Sequence, residues 1–304
     1  MSPVVAILAG GWSVEREVSL VTGEAVHQAL LSRGTDARLV DVGRDIGQVL
    51  AELKPDVVFN ALHGRFGEDG TIQGLLEILG LPYTHSGVTA SALAMDKPVS
   101  RELFTAAGLP VPDGVVVARD ELIRHPPYDP PYVIKPLNEG SSVGVRIVLA
   151  GDNTPPGANG EWRFGPRVLV ERYIPGREIQ VAVRGDEALG AIEILTDNRF
   201  YDYEAKYAAG MSRHVMPAEI PDADYREALR LGLAAHRTLG CRGVTRSDLR
   251  YDDTGAGAAR FYLLETNTQP GLTPTSLVPE IAAARGIDFA ELCQWMVEDA
   301  GCDR

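Results

Sequence analysis

Three oxygen-bearing side chains raise the first chemical question. In Phe261-Tyr-Leu-Leu-Glu-Thr-Asn267, Glu265 and Asn267 stand two apart behind an apolar run, so on a β-strand both point to one face. Arg246 and Asp248 repeat that spacing in "RGVTRSDLRY". If the two strands pair, Asp248, Glu265 and Asn267 form a set of two carboxylates and an amide. Hard oxygen donors of this kind suit Mg2+ shared with substrate phosphates better than zinc. The competing reading is a solvated sheet edge with incidental polar groups. Against it, acidic groups beside apolar strand residues are costly unless paired or metal-bound.

Positive charge is distributed unevenly. Of 29 basic side chains only Lys54, Lys97, Lys135 and Lys206 are lysines, the remainder being arginines. A lysine kept against that bias suggests a compact point charge in a tight site, although Lys54 beside Pro55 reads as surface. Lys135 closes an apolar strand and is followed by "EGSSVG", a small-residue loop whose backbone amides could approach a phosphate. Alone, such a loop is as readily an ordinary connection. It is not a Walker A loop, because the sequence has no Gly-Lys pair, and "AGGWS" lacks the spacing of a dinucleotide fingerprint. His63 and Glu68 in "HGRFGEDG", and Glu15 in the first loop, are further candidates, each with a plain structural alternative. Tyr203, Lys206 and Tyr207 fall in a stretch with neither strand nor helix period, which reads as a lid or as an exposed excursion.

The elements that must position these groups follow from periodicity. The first third alternates strands (Val4 to Leu8, Ala37 to Val42, Val57 to Leu62) with helices (Glu17 to Ser32, Ile46 to Leu53, Thr71 to Leu79), the order of a parallel sheet with covering helices. Ligands bind beyond the carboxyl ends of such strands, where "AGGWSVEREVS" and "HGRFGEDG" lie. A helix to Ala107 ends at Gly108, and Pro110 and Pro112 mark a module junction. Beyond it, strands dominate, with helices over Tyr225 to Leu239 and Phe289 to Val297.

Composition narrows the function class. At 304 residues the chain predicts more than one packed module. With 45% hydrophobic and 23% charged residues it predicts a folded protein. A formal net charge of -13 argues against nucleic acid or an anionic membrane as partner. No apolar run has the length of a membrane span, so a cytoplasmic protein is expected. Cys241, Cys293 and Cys302 form no CxxC pair and suggest neither zinc nor a disulfide framework.

Together, "AGGWSVEREVSL", "ALHGRFGEDGTIQGLLEILGLPYTHSGVTASALAMDK", "VIKPLNEGSSVG", "VERYIPGREI", "FYDYEAKY", "GCRGVTRSDL" and "FYLLETNTQPGLTPTSLVPE" resemble the D-alanine:D-alanine ligase family of ATP-grasp enzymes, in the family's order and over nearly the whole chain. The resemblance implies an α/β chain, α+β in its ATP-grasp part. A Rossmann-like N-terminal domain (1–95) would precede a two-part ATP-grasp fold: a central subdomain (96–174) and a C-terminal subdomain (175–304) with a lid at about 198–217. It implies ATP held by Lys97 and Lys135 at the phosphates, by Glu171 and the backbone of Arg172, Tyr173 and Ile174 at adenine, and by Glu178 at the ribose. Asp248, Glu265 and Asn267 would be ligands of two Mg2+ (or Mn2+) ions, in agreement with the strand-face argument.

For the substrates, the resemblance implies that Glu15 faces the ammonium of the first D-alanine, with Ser141 and Tyr207 linked to it. His63 would lie beside that substrate and Lys206 on the lid. Ser276 and Leu277 would receive the carboxylate of the second D-alanine, and Arg246 with the Gly271 amide would stabilise an oxyanion. The implied partners are small-molecule substrates, D-alanine and ATP, without nucleic acid or membrane, in a homodimer. Gln269 departs from a frequent Ser, Ser247 from an apolar residue and Arg172 from a frequent Lys, and none removes a group the chemistry needs. Two other readings are a depsipeptide ligase using D-lactate, which "EAKY" argues against, and a nucleotide sensor without turnover, which a missing metal ligand would favour.

Overall fold

The computed structural model describes residues 3–140, 143–152, 162–196 and 212–303. Ser141, Lys206 and Tyr207, and with them positions 198–211 of the expected lid, lie outside the described residues.

Strands β1 (Val4–Ala9), β2 (Asp36–Asp41) and β3 (Val57–Asn60) form a parallel sheet in the order β2-β1-β3. β1 is apolar without alternation because both of its faces are covered. One face carries Ala6 and Leu8 against Ile46 and Leu50 of α2 (Ile46–Leu53) and Leu76 of α3 (Thr71–Leu79). The other face carries Val5 and Ile7 into a core shared with α1 (Arg16–Ser32) and with Leu292 and Met296 near the far end of the chain.

Two helices expected only in part lead out of this unit. The run Val88–Met95 forms α4, and α5 (Lys97–Ala106) follows after one residue. Asp96 between them accepts a hydrogen bond from the Val99 amide, and Pro98 sits in the first turn, so the start of α5 is fixed by its own residues. That start sets Lys97.

The middle of the chain builds an antiparallel sheet from β4 (Gly114–Ala118), β5 (Tyr132–Lys135), β6 (Arg146–Val148) and β7 (Arg167–Arg172), in the order β4-β7-β5-β6, with the short helix α6 (Arg119–Arg124) beside it. A second antiparallel sheet contains β8 (Arg177–Arg184), β9 (Glu187–Thr196), β10 (Ser212–Val215), β11 (Val244–Asp252) and β12 (Arg260–Asn267), in the order β10-β9-β8-β11-β12. Helix α7 (Asp222–Thr238) covers one face through Ala228, Leu231, Gly232 and Ala235. It lies so close at Gly232 that an added Cβ would stand 2.6 Å from Val181. On the opposite face, α8 (Leu277–Ala284) and α9 (Phe289–Glu298) join this sheet to the parallel sheet, with Ile281 and Leu292 in the same core as Ile192 and Ile7.

Candidate active site

Period-two placement on β11 and β12 is realised as paired register: Asp248 lies opposite Glu265 and Arg246 opposite Asn267. A register shift follows between Asp248 and Leu249, at the point where the strands leave the site. Arg246 spans its own carboxylate neighbour, with Nε 2.8 Å and Nη2 3.3 Å from the two Asp248 oxygens. The Asn267 side-chain oxygen accepts the Gln269 amide at 2.8 Å.

Lys97 enters from the start of α5. Its ammonium is 3.3 Å from Glu265 and donates to the Glu139 carbonyl at 2.6 Å. A buried lysine would be costly alone; here a carboxylate and a carbonyl compensate it. Asp248 and Glu265 are thus balanced by Arg246 and Lys97. Their oxygens and that of Asn267 have the chemistry of a hard divalent-cation site. Among the described residues no three His, Cys, Asp or Glu side chains gather as a cage. Two carboxylates and an amide therefore fit a cation whose remaining ligands come from bound phosphates and water.

Two cavities meet at this point, sharing Lys97, Glu139 and Glu265. The larger, about 110 Å3, is a slot walled by Val133, Ile147 and Leu264 and edged by Lys135, Glu171, Arg172, Tyr173, Ile174, Glu178 and Asp248. Apolar walls with a few polar groups at the edge suit a flat heterocycle. Lys135 Nζ is 2.5 Å from Glu171, which Arg101 also contacts. Arg250 donates to the carbonyls of Ile174 and Gly176 at 3.2 and 2.6 Å, and so fixes the strand connection along the slot.

The smaller cavity, about 60 Å3, is lined by Glu15, His63, Glu68, Gly140, Arg246, Asn267 and Gly271 among others. Glu15 occupies the position before α1 but makes no capping bond with its side chain, and its carboxylate lies against Gly64, where any larger residue would collide with it. His63 is buried between Thr22, 2.9 Å from Nε2, and Glu68, 3.2 Å from Nδ1. The loops after β1 and β3 are tied together, since the Ser13 hydroxyl donates to the His63 carbonyl at 2.7 Å.

Ser276 and Leu277 stand at the start of α8 and line neither cavity. They lie behind the Gly271 loop: the Thr273 amide donates to the Ser276 hydroxyl at 2.9 Å, and a Cβ on Gly271 would stand 2.9 Å from the same oxygen. Sequence reasoning missed Arg101 and Arg250 altogether. An arginine in a helix or strand of an arginine-rich chain carries no local signal, and only tertiary placement picks these two out.

The family model described as "D-ala D-ala ligase C-terminus" matches residues 103–298, and "D-ala D-ala ligase N-terminus" matches residues 44–86. The chain is 58% identical to the D-alanine–D-alanine ligase of Parvibaculum lavamentivorans over 303 residues, 99% of this chain and 98% of that one. It is also 58% identical to the enzyme of that name from Paramagnetospirillum magneticum over 308 residues, covering all of both chains. Among solved structures it resembles the Bacillus anthracis D-alanine–D-alanine ligase complexed with ATP, with a TM-score of 0.81, 28% identity, and coverage of 98% of this chain and 97% of that one. The mixed α/β architecture is that of these ATP-grasp structures.

Proposed function

The chain belongs to the D-alanine–D-alanine ligase family, and from that premise we propose that it joins two D-alanine molecules into D-alanyl-D-alanine, a peptidoglycan precursor, with conversion of ATP to ADP and phosphate. A carboxylate does not condense with an amine in water until one oxygen becomes a leaving group. The carboxylate of the first D-alanine attacks the γ-phosphorus, ADP departs, and an acyl phosphate forms. The amine of the second D-alanine attacks the acyl carbon, and phosphate leaves with the former carboxylate oxygen.

The arrangement around the two cavities supports roles for the residues that line them, and the resemblance alone suggests those of Ser141, Lys206, Tyr207, Ser276 and Leu277. Lys97 and Lys135 offer point charges to the phosphates, Glu171 and the backbone of 172–174 accept and donate at the adenine edge, and Glu178 serves the ribose. Glu15 is suited to the ammonium of the first D-alanine beside His63, with Ser141 and Tyr207 linked to it, and Lys206 on the lid over residues 198–217. Arg246 and the Gly271 amide would meet the oxyanion of the second step, where one such donor is worth about 100- to 1,000-fold in rate. Ser276 and Leu277 would receive the second carboxylate by way of the Gly271 loop. Asp248, Glu265 and Asn267 would hold two Mg2+ (or Mn2+) ions, which when bound neutralise charge on the transferred phosphoryl group.

The three-part division at residues 95 and 174, a homodimer and a cytoplasmic location belong to the same reading. No helix among the described residues is long and apolar enough to cross a membrane.

One observation carries the reading: Asp248 and Glu265 face each other across β11 and β12 where a lysine-edged slot opens into the cleft of Glu15 and His63. The test is ATP-dependent phosphate release with D-alanine, L-alanine or D-lactate, followed by product identification. Release that needs D-alanine and yields the dipeptide is expected. Release indifferent to D-alanine would defeat the proposal, and a depsipeptide formed equally well from D-lactate would move it to the sister activity.

A further inference from the structure

Arg101 lies one helical turn after Lys97 on α5, so the two side chains leave the same face of the helix. Lys97 reaches Glu265; Arg101 reaches the other end of the slot. Its Nη1 donates to one Glu171 oxygen and its Nη2 donates to the Pro112 carbonyl at 2.7 Å. Room for the guanidinium depends on Gly114, the residue paired with Glu171 across β4 and β7; a Cβ there would stand 2.8 Å from Nη2. The second Glu171 oxygen meets Lys135 Nζ at 2.5 Å.

Glu171 is therefore gripped at both oxygens by cations, with Arg101 itself held by a main-chain carbonyl. All three side chains are buried. Glu171 and Lys135 line the slot, whereas Arg101 does not. Arg101 can therefore act on a nucleotide only through the slot residues it holds, Glu171 by its carboxylate and Pro112 by its carbonyl.

An ionised carboxylate accepts hydrogen bonds and never donates them. It can pair with an exocyclic amine on a purine, and it opposes a carbonyl oxygen at the same ring position. Without Arg101, Lys135 alone would hold Glu171, at one oxygen, and the carboxyl group would be free to turn away from the base.

We infer that Arg101 is a positioning residue that sets the preference for a 6-amino over a 6-oxo purine triphosphate, by holding Glu171 as an oriented acceptor beside the base. This rests on the reading that Glu171 faces adenine, and the experiment separates the two.

The measurement is kcat/KM for ATP and for ITP, which differ at the 6-position of the base and in the proton that the 6-oxo base carries on N1, at saturating D-alanine in the wild-type protein, R101K, R101M and E171Q, with thermal midpoints recorded alongside. The ATP:ITP ratio is expected to fall about tenfold in R101M, the effect of one misplaced hydrogen bond. R101K, which restores charge without the fork, should lie between. E171Q should also lose discrimination, since an amide can donate as well as accept. A purely structural Arg101 would lower the thermal midpoint and leave the ratio where it was; that result in R101M, or in R101K if R101M does not fold, overturns the inference. A wild-type ratio in E171Q would overturn it too, by removing Glu171 from the base.

Discussion

Gln269 offers the sharpest test of how the two halves of the site are held together. Its buried side-chain amide donates from Nε2 to the Leu62 carbonyl and accepts from Asn60 Nδ2 at 2.6 Å, while its backbone amide donates to Asn267. Asn60 ends β3 and also donates to the Gly67 carbonyl at 3.0 Å, so a single glutamine joins the His63 loop to the loop that follows Asn267 and carries Gly271. Changing Gln269→Ser leaves a side chain too short to reach either partner. Two buried hydrogen bonds at about 1 kcal/mol each are lost, and the abandoned Leu62 carbonyl adds roughly 1–3 kcal/mol of desolvation. The sum is about 3–5 kcal/mol, large for one substitution. Part of the damage should appear as looser positioning of His63 and Glu15. Urea unfolding would report the stability loss, and steady-state kinetics should show a raised KM for the first D-alanine with the KM for ATP little changed. A double-mutant cycle with Asn60→Ala should give a coupling of about 1 kcal/mol. A Gln269→Ser protein with the wild-type urea midpoint and wild-type KM for D-alanine would refute the reasoning.

Two further perturbations test other parts of the molecule. Asp248→Ala removes a proposed metal ligand together with the carboxylate that Arg246 grips; turnover at any Mg2+ concentration is expected to be abolished, and near-normal kinetics would show that the paired strands are not the metal site. Burial pushes His85 down to about 3 and His236 down to about 4, because desolvation disfavours the charged imidazole. Each ring is neutral in the folded protein but takes a proton in the unfolded chain below its ordinary pKa of 6.5. Their contribution is thus intact above that ordinary value and is lost as the pH falls from there toward the two depressed ones. At about pH 5.5 each histidine should cost about 1.4 kcal/mol. The urea midpoint should drop accordingly between about pH 7.5 and 5.5, and an unchanged midpoint would contradict the burial of these rings.

Much of the site is legible in the residues themselves because it depends on short-range rules. Two-residue spacing puts Glu265 with Asn267 and Arg246 with Asp248, and the scarcity of lysine singles out Lys97 and Lys135. The alternation of strand and helix through residue 79 also follows from local pattern. What spacing does not contain is register: nothing in either segment says that Asp248 should face Glu265 rather than Asn267. Helix Val88–Met95 escapes notice because its small and apolar residues surround the axis, and its first position is preceded by Gly87, which has no capping side chain. Strand Gly114–Ala118 is hidden by the prolines before it, and its pairing with β7 is long-range. Gln269 stands out only as a departure from a frequent serine, and its partners Asn60 and Leu62 lie about two hundred positions earlier in the chain.

The shared core of Val5, Ile7, Leu292 and Met296 has a consequence for biosynthesis. The opening sheet leaves the ribosome with the Val5 and Ile7 side covered only in part, by α1, and the helix that completes the cover emerges roughly 230 residues after β3. At roughly 5–20 residues per second that interval lasts on the order of tens of seconds. Throughout it, the nascent chain exposes an oily surface that chaperones or other partly made chains can bind.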